Sequence, residues 1–475
     1  MISTPACDAR INYFLVLCSF SSYLRAMDKT LPIYKSLFFL GLPIVGGNIA
    51  QFSSSVVDTA MLGHYDPKIL ASLVVASSVF FILLIVGGGF SFALMPVVAA
   101  HDARDEDTLV RRNTRMAIWL STMFSILVFP ILYWSESVLI FLGQSEELSQ
   151  SAHKYLRIMA FVMFPALLDV TLRCYLTGLK HTNIVLWATV SGLICKSIIG
   201  WLFIYGKFGC PELGIEGAAL STLAGTLVIL GFFVWYAQRN FPQHELFKNI
   251  WKPDLTSLRK IFTLGLPIGL TYLAESGLFS GVTIMVGWIG EIEVASHGIA
   301  MQIMAITFMV HLGLSQVATT LIGNAHGRQD SLEILRRIGI CAISMSAAFA
   351  FIIIIVFLSF PKILLSLFID NSNPDSRAIL FMGVSLMTIA ACFQLTDGLQ
   401  AVGLGLLRGI QDVKVPFIIA FISYWGVGFT TSYILGIKLS YGPQGVWLGL
   451  VAGLLIASIF LLARFWYKTR SEIIN

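Results

Sequence analysis

Glu275 stands near the middle of LGLPIGLTYLAESGLFSGVTIMVGWIG, Leu264 to Gly290, a stretch with no other charge. About 20 apolar residues cross a bilayer, and an ionisable group at the centre costs about 2.5 kcal/mol or more. Acids kept at that cost generally face a cavity or a pathway, so Glu275 reads as functional rather than as a protonated acid tied to a neighbouring helix. Asp397 is a second acid of this kind, in FQLTDGLQAVGLGLLRG, where Gly398, Gly403 and Gly405 permit close backbone approach or a bend. Two carboxylates with nearby hydroxyls and carbonyls suit a hard cation such as Na⁺. The same pair could hold a proton, because close like charges disfavour double ionisation. The residues leave Na⁺ and H⁺ both open. Tyr272, Ser276 and Phe279 flank Glu275 at helical spacing and are candidate neighbours of the site.

Four further charges stand inside apolar stretches: Asp58, Asp169, Arg173 and Lys196. Asp169 and Arg173 are four apart on one helix, which points to an internal pair. Lys196, in GLICKSIIGW, needs an acid or must lose its proton, and Asp58 and Asp169 are the available partners. A pair there would act as a fixed internal counter-ion and leave that region less able to capture a cation. His297 and His311 stand without an evident catalytic partner, which argues against an intramembrane enzyme. The seven cysteines show no CxxC spacing and read as small hydrophobes.

These groups need a membrane scaffold to position them. Hydrophobic residues make up 57% of the 475-residue chain and charged ones 12%, far below the roughly 25% of a soluble domain. Hydropathy predicts twelve spans, near 36–62, 70–97, 116–134, 156–179, 183–206, 215–238, 261–288, 295–323, 338–359, 378–406, 415–437 and 445–463. With the amino terminus placed inside, loops and ends put 22 Lys and Arg on the inner side against 7 outside, so both termini are expected to be cytoplasmic. Arg408 is counted with the inner loops. The net charge of +5 is therefore a matter of topology and indicates no nucleic-acid partner.

The chain is also a duplication. Sliding Leu40–Gly63 by 224 positions lays LGLPI on LGLPI and VVDTAMLG over the end of the Glu275 span, with Gln51 at the place of Glu275 and Asp58 at that of Val282. LTGLKHTNIV (176–185) matches LRGIQDVKVP (407–416), and IEGAALSTLAG (215–225) matches PQGVWLGLVAG (443–453). Six spans per half make parallel repeats, an architecture that places a cleft between two bundles and suits alternating access. The expected division is a poorly defined extension over 1–30, a six-helix bundle over 31–240, a cytoplasmic linker over 241–260 and a second bundle over 261–475. Residues 1–26 read as an interfacial segment or an upstream extension, with Met27 an alternative start.

LGLPI opening both halves, VVDTAMLG, IYGKFGCPELGIEGAALST, ASHGIAMQIMAITFM and FQLTDGLQAVGLGLLRGIQD together resemble the multidrug and toxic compound extrusion (MATE) family, in its NorM-like branch. The resemblance covers nearly everything from Leu31 onward. It implies an all-α, twelve-helix, monomeric antiporter of the plasma (inner) membrane, not an enzyme. Such a protein exports bulky, often cationic amphipathic compounds in exchange for Na⁺ or H⁺, its partners being small organic cations and membrane lipid. By position, Glu275 and Asp397 match the family's second-half cation-site acids, which would be Na⁺ ligands if sodium is the coupling ion, and Asp58 matches its first-half acid. Lys196 and Gly200 stand where relatives often carry two asparagines, which shifts the expected coupling towards Glu275 and Asp397, and Leu321 stands where they often carry an arginine. A flippase for lipid-linked or other amphipathic metabolites is the alternative, although it would be expected to carry more basic residues in its spans.

Overall fold

In the computed structural model the described residues are 5–369 and 375–470, with side chains from Thr30 onward except at 67 and 68. The side chains of residues 1–26, for which two readings are open, lie outside this set. Twelve helices are long and apolar enough to cross a membrane: α1 (Thr30–Tyr65), α2 (Ile69–Asp102), α3 (Asp107–Tyr133), α4 (Glu146–Gly178), α5 (Thr182–Ile204), α6 (Ile215–Asn240), α7 (Leu255–Gly287), α8 (Glu291–Gly327), α9 (Leu332–Ser359), α10 (Ser376–Gly409), α11 (Lys414–Lys438) and α12 (Gly442–Arg470). Helices are forced on such segments because hydrocarbon offers backbone groups no partner outside the segment. The expected spans are all present. Their ends reach further, so Arg111, Arg112 and Arg115 sit on α3 rather than in the loop before it.

The duplication is written in the packing. In the first half α2 packs on α4, α5 on α6, α1 on α5 and α4 on α6; in the second, α8 packs on α10, α11 on α12, α7 on α11 and α10 on α12. It reaches the turns as well. Left-handed φ occurs at Asp105 and at Gln329, at Lys180 and at Gln411, and at Gly214 and at Gly442, each pair at matching places in the two halves. The backbone bonds Lys180 N to Thr177 O and His181 N to Leu176 O recur as Gln411 N to Arg408 O and Asp412 N to Leu407 O. These are the bonds that satisfy the last carbonyls of a helix. A short helix after the third span, Ser135–Phe141 in the first half, recurs as Pro361–Ser366 in the second.

The halves meet mainly along three seams, α2 with α7, α2 with α8 and α1 with α8. At the first, a Cβ on Gly89 would lie 2.5 Å from the Gly269 nitrogen and 2.6 Å from the Gly265 carbonyl, so the two backbones touch. Only glycines allow this approach. Nearer the end that carries the α6–α7 linker, Arg104 Nε donates to the Gly327 carbonyl, Asn324 Nδ2 to Ala99 O at 3.4 Å, and Thr320 Oγ1 to Thr177 O at 3.4 Å. The contacts between halves thus gather towards the linker end. Towards the other end, Gln51, Ser55 and Thr59, one turn apart on α1, are exposed. A polar stripe at that depth suits a water-filled space better than lipid.

The linker is fastened to α3. His244 is buried, hydrogen-bonded to Tyr175 Oη at 2.6 Å and paired with Asp107 at 3.2 Å. Arg111 pairs with Glu245 at 2.5 Å, Arg115 donates to Asn249 O at 2.9 Å, and Trp119 Nε1 donates to Ile250 O at 2.8 Å. Asp254 caps α7 through the Ser257 N–H and hydroxyl while pairing with Arg112 at 2.6 Å. The Arg112 hydrogen bond, against partial burial, holds its carboxyl down at about 2. A depressed carboxylate contributes stability above its ordinary value near 3.9 that is lost only as pH falls towards 2. Thermal melts of detergent-solubilised protein should therefore show no contribution from this cap to any change between pH 8 and 5, whereas Asp254→Ala should cost about 1–2 kcal/mol across that range.

Candidate functional site

Inside α7, Pro267 lacks an N–H, and one turn on Thr271 Oγ1 returns to the Pro267 carbonyl at 2.7 Å. A further turn brings Glu275, buried at 8% exposure and turned to α10, where Gln400 Nε2 donates to its Oε1 at 3.4 Å. Gln394, Asp397 and Gln400 follow one another at three-residue spacing on α10 and are all buried. Asp397 lies close enough to Glu275 for the two charges to act on each other. Gln400 also donates to Tyr424 Oη, and Gln394 Nε2 to Thr307 Oγ1. Tyr424 belongs to a π-helical stretch of α11, Ile422–Phe429, the kind of irregularity that often marks a functional site. The next residue, Trp425, donates its indole N–H at 3.1 Å to the carbonyl of Ala274, immediately before Glu275.

Several oxygens here have no protein donor. Asp397 Oδ1, Gln394 Oε1 and Gln400 Oε1 are buried acceptors without a hydrogen-bond partner. An unpartnered buried polar atom costs about 1–3 kcal/mol, so three along one helix face, beside a second carboxyl group, form a place that favours a cation or a proton. Among the described residues no three His, Cys, Asp or Glu side chains cluster as a transition-metal site would require. Two carboxylates with amide oxygens match a hard monovalent ion instead.

Of the expected neighbours, Tyr272 takes part through Arg408, whose Nη1 donates to its hydroxyl at 2.7 Å and whose guanidinium lies 4.6 Å from its ring centre. The Tyr272 ring also meets Phe92 of α2, 5.2 Å between centroids, which places it at the seam between halves. Phe279 packs on Phe393, at 6.1 Å, and Ser276 is half-buried. Arg408 corrects the sequence reading: it lies inside α10, 9% exposed, within Coulombic reach of Glu275, and not in a loop. The α10 helix runs to Gly409 because its final carbonyls are capped by the Gln411 turn, one turn beyond the hydropathy limit.

The first-half residues form separate pairs. Lys196 binds Asp58 at 2.7 Å, and Arg173 binds Asp169 at 3.3 Å and Gln51 at 2.9 Å. Asp58, Asp169 and Lys196 thus tie α1, α4 and α5 together rather than joining Glu275. His297 lies between Thr283 and the Trp447 indole, and His311 bonds Ser346, which are structural roles. Sequence reasoning missed Gln394, Gln400, Tyr424 and Arg408. The first two were legible as polar residues one helix face apart from Asp397, whereas Tyr424 depends on the π-helical register.

A twelve-helix membrane protein with duplicated halves and a buried acidic site between α7 and α10 is built as a transporter, not an enzyme. The chain belongs to the MatE family, whose family model matches residues 43–202 and 267–434, two segments that start 224 positions apart as the internal repeat does. It is 37% identical to "Probable multidrug resistance protein NorM" of Rhizobium meliloti (strain 1021) over 94% of this chain and 96% of that protein. The protein of the same name from Agrobacterium fabrum is 35% identical over 92% and 95%. Its fold is that of a multidrug resistance MATE family transporter solved in an outward-facing conformation, with TM-score 0.84 and 20% identity over 92% and 96% of the two chains. A MATE structure in complex with MaL6 gives TM-score 0.83 at 20% identity, with the same coverage.

Gln400→Leu removes the one side-chain donor to Glu275 among the described residues while keeping the residue's approximate size. Losing a hydrogen bond to a charged group costs about 1.5–3 kcal/mol, so the half-saturating concentration of a bound monovalent cation should change by roughly tenfold or more. Isothermal titration of the purified variant with Na⁺, and separately with acid, reads this directly.

Proposed function

We propose that this protein is a secondary antiporter that exports bulky, cationic amphipathic compounds across the plasma (inner) membrane in exchange for Na⁺ or H⁺. The observation that carries the reading is the group of unpartnered acceptors on Asp397, Gln394 and Gln400 beside Glu275. The multidrug names of the NorM relatives support small-molecule compounds as the substrates. The excess of basic residues at the linker end makes that end cytoplasmic by the positive-inside rule. The seams then close the cytoplasmic side, and the space between halves opens outward.

In this state the driving ion reaches Glu275 and Asp397 from outside and neutralises them. A ligand shifts a conformational equilibrium only through its different affinities for the two states, and relief of two facing carboxylates provides such a difference. Neutralisation repacks α7, α10 and α11, whose contact runs through Gln400, Tyr424 and Trp425. The halves, 31–240 and 261–475, then rock about the seams and the drug is released outward. A flippase reading is weaker, since Lys196 and Arg173 are already paired with acids and leave little free positive charge to meet phosphate.

Efflux of a fluorescent organic cation from proteoliposomes, under an imposed Na⁺ gradient and separately an H⁺ gradient, tests this proposal. Wild type should transport under at least one gradient, and Glu275→Gln should reduce that transport to the level of empty liposomes. Wild-type rates in the variant would overturn the assignment of Glu275.

A further inference from the structure

Lys196 is the one ammonium buried within the first half's α5, at 6% exposure, and all of its donor capacity is spent. Its Nζ donates to Asp58 Oδ2 at 2.7 Å, to Ser54 Oγ at 2.8 Å and to the Ser54 carbonyl at 3.1 Å. An ammonium has three N–H groups, and here three oxygens receive them. A carboxylate, a hydroxyl and a backbone carbonyl are also the oxygen types that bind a hard cation. The stem is accommodated by α6, where a Cβ on Gly225 would stand 3.0 Å from Lys196 Cβ. Tyr155, fully buried on α4, is the other titratable group facing Asp58. The second-half acids differ from Asp58: among the described residues no lysine or arginine makes an ion pair with Glu275 or Asp397, and Asp397 Oδ1, Gln394 Oε1 and Gln400 Oε1 have no partner.

We propose that the Lys196 ammonium is a tethered cation. It fills a cation position in the first half throughout the transport cycle, so Asp58 exchanges no ion and the second half alone carries the coupling ion. The proposal rests on the antiport reading for what the second half does, but its own content concerns Asp58 and Lys196. It also assigns those two residues a mechanical role: they lock α1 to α5, and the first half moves as a stiff body.

The test measures thermal stability of purified full-length variants, with NaCl titrated against choline chloride at fixed pH and, separately, with pH varied without Na⁺. In a Glu275→Gln/Asp397→Asn background, intact Lys196 should give the same response to Na⁺ and to pH as a variant that also carries Asp58→Asn and Lys196→Met. Adding Lys196→Met alone to the background should create a new stabilisation of several degrees, by Na⁺ if the exposed site takes a metal cation or by acid if it takes a proton. Asp58→Asn should then abolish it. A cation- or pH-dependent shift in the background with intact Lys196, absent once Asp58→Asn and Lys196→Met are added, would overturn the proposal. That comparison stands even if Lys196→Met alone does not fold, because the double neutral replacement leaves no unpaired charge. The antiport reading is judged separately: it fails if wild type shows no cation response that the Glu275→Gln/Asp397→Asn background loses.

Discussion

Charge inside hydrocarbon must find a partner, and most of this molecule's internal order follows from how its buried charges do so. In the first half each acid meets a base on the same or a neighbouring helix: Asp58 with Lys196, and Asp169 with Arg173. Truncating one side of such a pair would leave an uncompensated charge, which is worth about 3–5 kcal/mol, so the Asp58–Lys196 pair fixes α1 against α5, while Arg173, paired within α4, reaches α1 through Gln51. In the second half Glu275 receives an amide donor from Gln400 rather than a direct base, and Asp397, near enough for the two charges to act on each other, keeps an acceptor without a partner. Two copies of one ancestral bundle therefore differ in what they leave unmet. One is internally neutral, and the other holds acceptors in reserve.

Backbone contact supplies the complementary constraint. Glycines at 89, 265 and 269 let the α2 and α7 backbones touch, while Phe90 against Phe262 and Phe92 against Tyr272 fill the rest of the seam. The linker follows a different rule. Because α3 holds residues 244 to 254 through Tyr175's partner His244 and through Arg111, Arg112 and Arg115, the first turn of α7 is anchored to the first half. Movement of the second half relative to the first must then be absorbed beyond that turn, close to Pro267, where the helix already lacks a backbone donor.

The twelve spans, the repeat and the pairing of Lys196 with an acid were legible because each depends on local composition or on an offset between similar words. Pairing with Asp58 in particular, and not Asp169, was not, since it depends on α5 lying against α1. Glu275 and Asp397 could be named from isolated charge in apolar sequence. Gln394 and Gln400 could have been, by their spacing on the same face. Arg408 escaped because hydropathy ends a span at the first charge, whereas the helix continues until its carbonyls are capped at Gln411. Tyr424 escaped for a deeper reason: within a π-helical stretch the usual residue spacing no longer tells which side chain faces the neighbour.

That stretch bears on why the second half is the one able to respond. A helix in α geometry has a uniform hydrogen-bond ladder, whereas a π-helical turn departs from it and often marks a functional site. Tyr424 and Trp425 sit in that turn and grip the two sides of the acidic site, Tyr424 through Gln400 and Trp425 through the carbonyl that precedes Glu275. The equivalent contact in the first half, between α5 and α1, is made by an ion pair on a helix without such a turn. A change of charge at Glu275 therefore acts on contacts made from an irregular turn, whereas the same change at Asp58 would have to break a buried ion pair before anything moved.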